Sequence, residues 1–137
     1  MTANEAFVRD GVAAFNSGDR DAFLAFVDPG ARFYPVDFFP DMETVFEGRA
    51  GFASFWHRWR EPWDRLHAEI ERIDDEGDLV AFEMRWIGHR AGAPPVEMAM
   101  GTALKVRDGL VILMVAAATG ADARDKLLTI AADRAAS

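Results

Sequence analysis

The stretch that most constrains this chain runs from Val96 to Thr119, two apolar segments joined by Arg107-Asp108-Gly109. Asp-Gly between β-rich segments signals a hairpin, because glycine accepts the positive φ of a tight turn. The second arm, Leu110 to Ala118, carries no polar side chain. A half-solvated antiparallel strand would alternate, so this arm needs cover on both faces. One cover is the chain's own core. The other falls to a second subunit if Val111, Leu113 and Val115 point outward. Two registers are open: a plain two-residue turn pairs Val106 with Val111 and sets Thr102 on the face of Val115, whereas an added bulge sets Met114 and Ala116 with Thr102.

The rest of the 137-residue chain fits one domain, 1–137, able to bury roughly two-thirds of its unfolded surface. Eleven Phe and four Trp against one Tyr suit a packed aromatic interior. The formal charge of -8 disfavours nucleic acid and anionic membranes as partners, since both require clustered cations. With no cysteine there is no disulfide framework and no thiolate chemistry. Met1 to Asp10 lacks a signal-peptide pattern and no apolar run approaches the ~20 residues of a spanning helix, so the expected location is cytoplasmic.

Along the chain, Thr2-Ala-Asn-Glu5 matches a capping box, and Phe7, Val8, Gly11, Val12 and Phe15 fall on one helical stripe. Gly18 reads as its C-cap, Asp19 caps a short second helix through Val27, and Asp28-Pro29-Gly30 stops it. Ala31 to Val36 is extended, followed by an aromatic loop, Asp37 to Asp41. From Gly48, Phe52, Phe55, Trp56 and Trp59 mark a buried helical face ended by Pro62. Strand periodicity follows from Arg65 to Asp74 and from Leu79 to His89, with Val80, Phe82, Met84 and Trp86 facing the core. A final helix spans Ala121 to Arg134, with Ala123, Leu127 and Ile130 on one side. This order predicts α+β architecture with an antiparallel sheet and helices on one face, leaving an interior cavity.

Val12-Ala-Ala-Phe-Asn-Ser-Gly-Asp-Arg-Asp-Ala-Phe, Phe26-Val-Asp-Pro, Phe46-Glu-Gly-Arg and Val106-Arg-Asp-Gly-Leu together resemble the nuclear transport factor 2-like superfamily, in particular its SnoaL-like branch, from about Glu5 to Ala118. The resemblance implies a cone-shaped, cystatin-like fold: a curved antiparallel sheet packed against N-terminal helices, with a pocket inside and often a dimer through the outer sheet. It also favours the bulged hairpin. It does not imply one activity, because the superfamily includes isomerases, cyclases, hydrolases, dehydratases and binding modules.

The catalytic groups of these relatives are missing at the matching positions. Ketosteroid isomerases pair an acidic base with a tyrosine and a protonated aspartic acid; the matching positions are Pro35, Gly11 and Thr102. The acid that SnoaL-like cyclases place on the last strand corresponds to Ala116. The polar set of the epoxide hydrolases would need inward positions that Met84, Met98, Met100 and Met114 are expected to hold.

Asp37, between Tyr34 and Phe38, is the candidate catalytic base, since a carboxylate among aromatic rings loses solvation and its pKa rises. Asp41 reads as a loop acid. His57, His67 and His89 show no metal-ligand spacing, so no metal and no cofactor is expected. The candidate pocket comprises Phe15, Tyr34, Phe38, Trp56, Trp59, Trp63, Phe82, Met84, Trp86, Met98, Met100, Thr102, Met114 and Ala116, where methionines supply a deformable wall and Thr102 a hydroxyl. Two functions follow. One is a pocket protein for a small hydrophobic metabolite, with proton-transfer, cyclase or hydratase chemistry if it turns over. The other is a dimerisation module whose core is filled by its own side chains.

Overall fold

The computed structural model describes residues 1–35 and 45–136, with side chains through Arg134. Asp37, Phe38 and Asp41 lie outside the described residues.

Helix α1 (Ala3–Asn16) starts where Thr2 Oγ1 accepts from Glu5 N–H, and Gly18 leaves its end with φ +78°. Asp19 caps α2 (Arg20–Leu24) through the amides of Asp21 and Ala22. This helix is shorter than the sequence predicts. Asp28-Pro29-Gly30 does not end a helix but lies inside β1 (Val27–Tyr34), where the pairing slips between Val27 and Arg32. A proline without an amide is tolerated at such an irregularity. A two-residue β2 (Phe46–Glu47) leads into α3 (Gly48–Arg60), which buries Phe52, Phe55 and Trp59.

Strands β3 (Arg65–Asp75), β4 (Val80–His89), β5 (Val96–Arg107) and β6 (Leu110–Ala117) then form a meander. The six strands lie in the order β2-β1-β6-β5-β4-β3 in one open, curved sheet. The antiparallel expectation holds through the meander, but β1 joins β6 in parallel. No helix among the described residues is long and apolar enough to cross a membrane.

The hairpin from Val96 to Thr119 combines the two-residue turn with the bulge. Asp108 and Gly109 both take positive φ (54° and 76°), giving a two-residue turn that pairs Val106 with Val111. A bulge then follows, because Lys105 pairs with Leu113 and skips Ile112. Beyond it, Thr102 opposes Ala116 and Leu104 opposes Met114. One inserted residue exchanges the faces of everything after it.

That exchange corrects the expected outward set. Val111 joins the inner core with Ala116, while Leu113 and Val115 lie on the outer face. Nor is that outer face free for a partner. Helix α4 (Gly120–Ala136) lies on it, packing Ala123 and Leu127 against Leu79, Ala81, Ala103, Leu113, Val115 and Ala117. The second cover of the hairpin is therefore the chain's own C-terminal helix, which removes the apolar basis for a subunit interface at Leu113 and Val115.

On the inner face, α1 is tied to the sheet edge by a side chain that imitates a strand. Asn16 donates from Nδ2 to the Ala68 carbonyl (2.9 Å) and accepts the Ala68 amide at Oδ1 (2.8 Å). These are the edge-strand groups that would otherwise be left unpaired. At the other end of α1, Asn4 donates to Asp75 (2.9 Å).

Three carboxylates, the partly buried Asp75 and the exposed Glu69 and Glu76, are held below their usual range by such contacts. The Thr2 hydroxyl, the Asn4 amide and the Gly77 N–H lower Asp75; Arg85 lowers Glu69, and Arg124 lowers Glu76. A depressed folded-state pKa contributes stability that is fully present above the unfolded value and is lost as pH falls through the folded one. Thermal melts should therefore be nearly constant above about pH 5 and decline as pH falls through and below the ordinary carboxylate range of about 4. A Tm unchanged down to pH 3 would contradict this.

Candidate functional site

Strands β4 and β5 set the floor of the interior, because their register aligns Phe82 with Thr102, Met84 with Met100 and Trp86 with Met98 on one face. The helices supply the roof. Toward α3 the space is filled: the Phe33 ring lies 4.6 Å from Phe55 and 5.8 Å from Phe46 (centroid distances), and Trp59 meets Trp86 at 5.6 Å. Edge-on contacts at Phe33–Phe55 and Trp59–Trp86 and a stacked one at Phe33–Phe46 close the core at that end.

Toward α1 the filling is incomplete. A recess remains between α1, the segment from Phe23 to Val27, the Phe52 and Phe55 side chains of α3, and the inner faces of β4, β5 and β6. Counted out to its open mouth it spans about 680 Å³, but the part that admits a water-sized sphere is only about 80 Å³. The smaller figure is the physically relevant one for a rigid interior. It is about half of a roughly 150 Å³ engineered apolar cavity known to take up benzene. A ring-sized ligand therefore requires the walls to yield, and three of the walls are Met84, Met100 and Met114. Unbranched thioether side chains repack at lower cost than aromatic or β-branched ones.

The chemistry of the recess is narrow. No charged side chain lines it among the described residues, and Thr102 is its single hydroxyl. Thr102 is 1% exposed, and its Oγ1 has no hydrogen-bond partner among the described residues. A buried polar atom left unpaired costs about 1 to 3 kcal/mol, so it marks a place where something else completes the bond. The indole Nε1 of Trp86, at 4% exposure, is likewise without an acceptor among the described residues.

Of the residues expected from the sequence to form a pocket, Phe15, Phe82, Met84, Trp86, Met100, Thr102 and Met114 border this recess. Others pack behind it. Trp59 and Ala116 are buried in the inner core, and Trp56 and Met98 are partly buried against it. Trp63 lies flat on the Gly88 backbone, with the Arg90 guanidinium 4.4 Å from its ring centroid. Tyr34 points the other way, into the cluster beneath α4, because it follows the inward Phe33 by one residue and pairs with Val115. Pro35, which the sequence resemblance matches to the isomerase base, is buried and carries no proton-transfer group.

The histidines stand apart from the recess. His67 and His89 stack on each other at 5.9 Å beside Glu69 on β3, and His57 lies near Arg20 on the outside of α3. A larger groove of about 800 Å³ runs between the N-termini of α1 and α4, but it is an open, acidic surface whose Glu76 is paired with Arg124. Among the described residues no three metal-ligating side chains converge.

Apart from Phe15, the α1 and α2 part of the lining went unassigned in the sequence, although its signal was present. The stripe Phe7, Val8, Gly11, Val12 and Phe15 reads as a core face, and periodicity cannot separate a packed face from one that borders a void.

Comparison with known proteins agrees with this geometry. The family model described as "SnoaL-like domain" matches residues 8–114. Among curated proteins, none matches the chain. IdmH from Streptomyces antibioticus, a candidate polyketide cyclase, superposes with a TM-score of 0.71 at 25% identity, over 85% of this chain and 91% of IdmH. A protein of ketosteroid isomerase-like fold from Catenulispora acidiphila, in complex with trimethylamine, gives 0.70 at 20% identity over 82% and 85% of the two chains. TerC, co-crystallised with polyporic acid, gives 0.74 at 15% identity over 93% and 99%.

Proposed function

Because the chain belongs to the SnoaL-like domain family, we propose that it is a pocket protein for a small, uncharged, hydrophobic metabolite, which it converts without a cofactor by proton transfer, ring closure or hydration. The observation that carries this reading is the unpartnered Thr102 hydroxyl at the wall of an otherwise apolar recess. With no charge in the lining among the described residues, an ionised ligand group would find no partner on those walls. A ligand with one carbonyl or hydroxyl would instead pair with Thr102 while its rings displace the methionines. The resemblance to IdmH favours a cyclic product or substrate.

Asp37 is the proposed base. It follows Pro35, the buried residue just past the end of β1, by two residues in sequence, and its carboxylate is the kind of group that can abstract a proton beside a ligand carbonyl. Once a turnover assay is available, Asp37→Asn should lower kcat at least a hundredfold and abolish the acidic limb of the pH-rate profile. A profile unchanged in the variant would remove Asp37 from the mechanism.

A second reading, a non-catalytic module with a self-filled core, is favoured by the small 80 Å³ interior and the aromatic packing around Phe33. In that reading the partner is a second copy, meeting the part of the outer face that α4 leaves open, where Glu69, Arg85 and Glu97 pair. Thermal shift with a panel of neutral cyclic compounds separates the two, because a ligand that binds only the folded state raises its Tm. The pocket reading expects a rise with neutral cyclic compounds and none with their carboxylate analogues.

A further inference from the structure

Of the eleven glycines in the chain, eight are held by backbone conformation or by a severe clash, and two more, Gly30 and Gly120, stand close to a side chain that could shift. Five take positive φ: Gly18, Gly48, Gly77, Gly92 and Gly109. Five others would place a Cβ within 3.3 Å of a neighbouring atom: Gly30, Gly51, Gly88, Gly101 and Gly120. Gly11 has neither reason. It lies inside α1 with no positive φ, and a Cβ built on it meets no atom within 4 Å. A glycine in a helix interior costs roughly 1 kcal/mol relative to alanine. That cost has no return in backbone geometry or close packing.

What lies next to Gly11 is the recess. Phe7, Gly11 and Phe15 are spaced four residues apart and so share one face of α1, all bordering the same space. Phe7 meets Phe26 edge-on at 5.4 Å, and Phe15 meets Phe23 in the same way at 5.4 Å. Two aromatic pairs thus stand about 12 Å apart along the helix, with a missing side chain between them. The face opposite carries the unpartnered hydroxyl of Thr102.

We propose that Gly11 is the specificity-determining position of this site: it keeps open a slot, walled by the Phe7–Phe26 and Phe15–Phe23 pairs, that admits the edge of a flat, uncharged ring system whose oxygen reaches Thr102. This rests on the ligand-binding reading above and adds to it the shape of the ligand. Aromatic rings on two sides and a bare helix backbone on the third select a planar molecule over a branched aliphatic one.

The test is calorimetric titration of 2-naphthol into the wild type, Gly11→Ala and Gly11→Leu, with the Tm of each apo protein measured in parallel. The slot predicts saturable binding by the wild type, a loss of about threefold in Gly11→Ala, and a loss of at least tenfold in Gly11→Leu. Both variants should melt no lower than the wild type, since each gains helix propensity and fills space. Wild-type affinity retained in Gly11→Leu would overturn the slot while leaving the pocket reading in place. If Gly11→Leu does not fold, unchanged affinity in Gly11→Ala at a raised Tm does the same. No heat of binding in the wild type would overturn the pocket reading and the slot together.

Discussion

Gly101→Ala should lower the melting temperature by about 10 °C, an effect of about 3 kcal/mol or more for a domain of this size. A Cβ at Gly101 would lie 1.9 Å from the carbonyl carbon of Thr119 and 2.1 Å from its oxygen. The obstruction is backbone, not the end of a side chain that could swing aside. Thr119 also caps α4, its Oγ1 accepting from the Asp122 amide at 3.1 Å, and Glu83 accepts the Gly120 amide at 3.2 Å. Relief therefore means lifting the first turn of α4 off the sheet. Differential scanning calorimetry gives the magnitude, and hydrogen exchange should show lost protection concentrated in α4. A Tm within 2 °C of the wild type would mean that the crossing of α4 over β5 is wrong.

The second large effect is expected from Leu113→Glu. Leu113 is 3% exposed beneath α4, among Leu79, Ala103 and Leu127. Arg32 and Lys105 pair with Leu113 on the neighbouring strands, but a carboxylate beneath α4 still loses its water and removes a leucine from the apolar cluster, at a cost of about 3 kcal/mol. The variant should lose its cooperative urea transition or show a midpoint shifted far toward zero denaturant. The outcome discriminates between two structures. Were Leu113 a subunit contact, the same change would leave the protomer stable and alter only its sedimentation. Loss of stability at every protein concentration points to α4 as the cover.

Both predictions concern one feature that sequence reading left half-resolved. That Leu110 to Ala118 needs cover on two faces follows from its lack of polar side chains, but which segment supplies the cover does not. The clue was Gly101 itself. A glycine inside a strand marks a close backbone approach, and with Ala81, Ala103 and Ala117 around it the outer face is shaped for a helix backbone. Periodicity in α4 gave Ala123, Leu127 and Ile130 as one side, and those are the residues that meet the sheet. The link between the two surfaces is a contact of long sequence separation, which local pattern does not encode.

The recess was legible to a similar depth. Alternation in β4 and β5 placed Phe82, Met84, Trp86, Met100 and Thr102 inward, because a strand's side chains alternate whatever lies above them. The tryptophans of α3 were harder. Their spacing shows a buried face, but whether a buried ring borders a void or another ring depends on packing between helices. Trp59 ended against Trp86, and Trp63 against Gly88. Tyr34 turned on a single-residue choice of face in a short strand with a register slip before it. Gly11 shows the reverse case, in which the informative feature is an absent side chain, visible only once the space around it is known.

Under the proposed function, this interior opens for a neutral cyclic ligand by moving methionines. Methionine-methyl NMR tests it most directly. With [methyl-13C]methionine, addition of 2-naphthol should shift and broaden the signals of Met84, Met100 and Met114, which wall the recess, and leave that of the exposed Met1 in place. The shifts should saturate together, and in Gly11→Leu their saturation should require at least tenfold more probe. Three methionine signals that stay fixed up to the solubility limit of the probe, or that move only together with Met1, would contradict it.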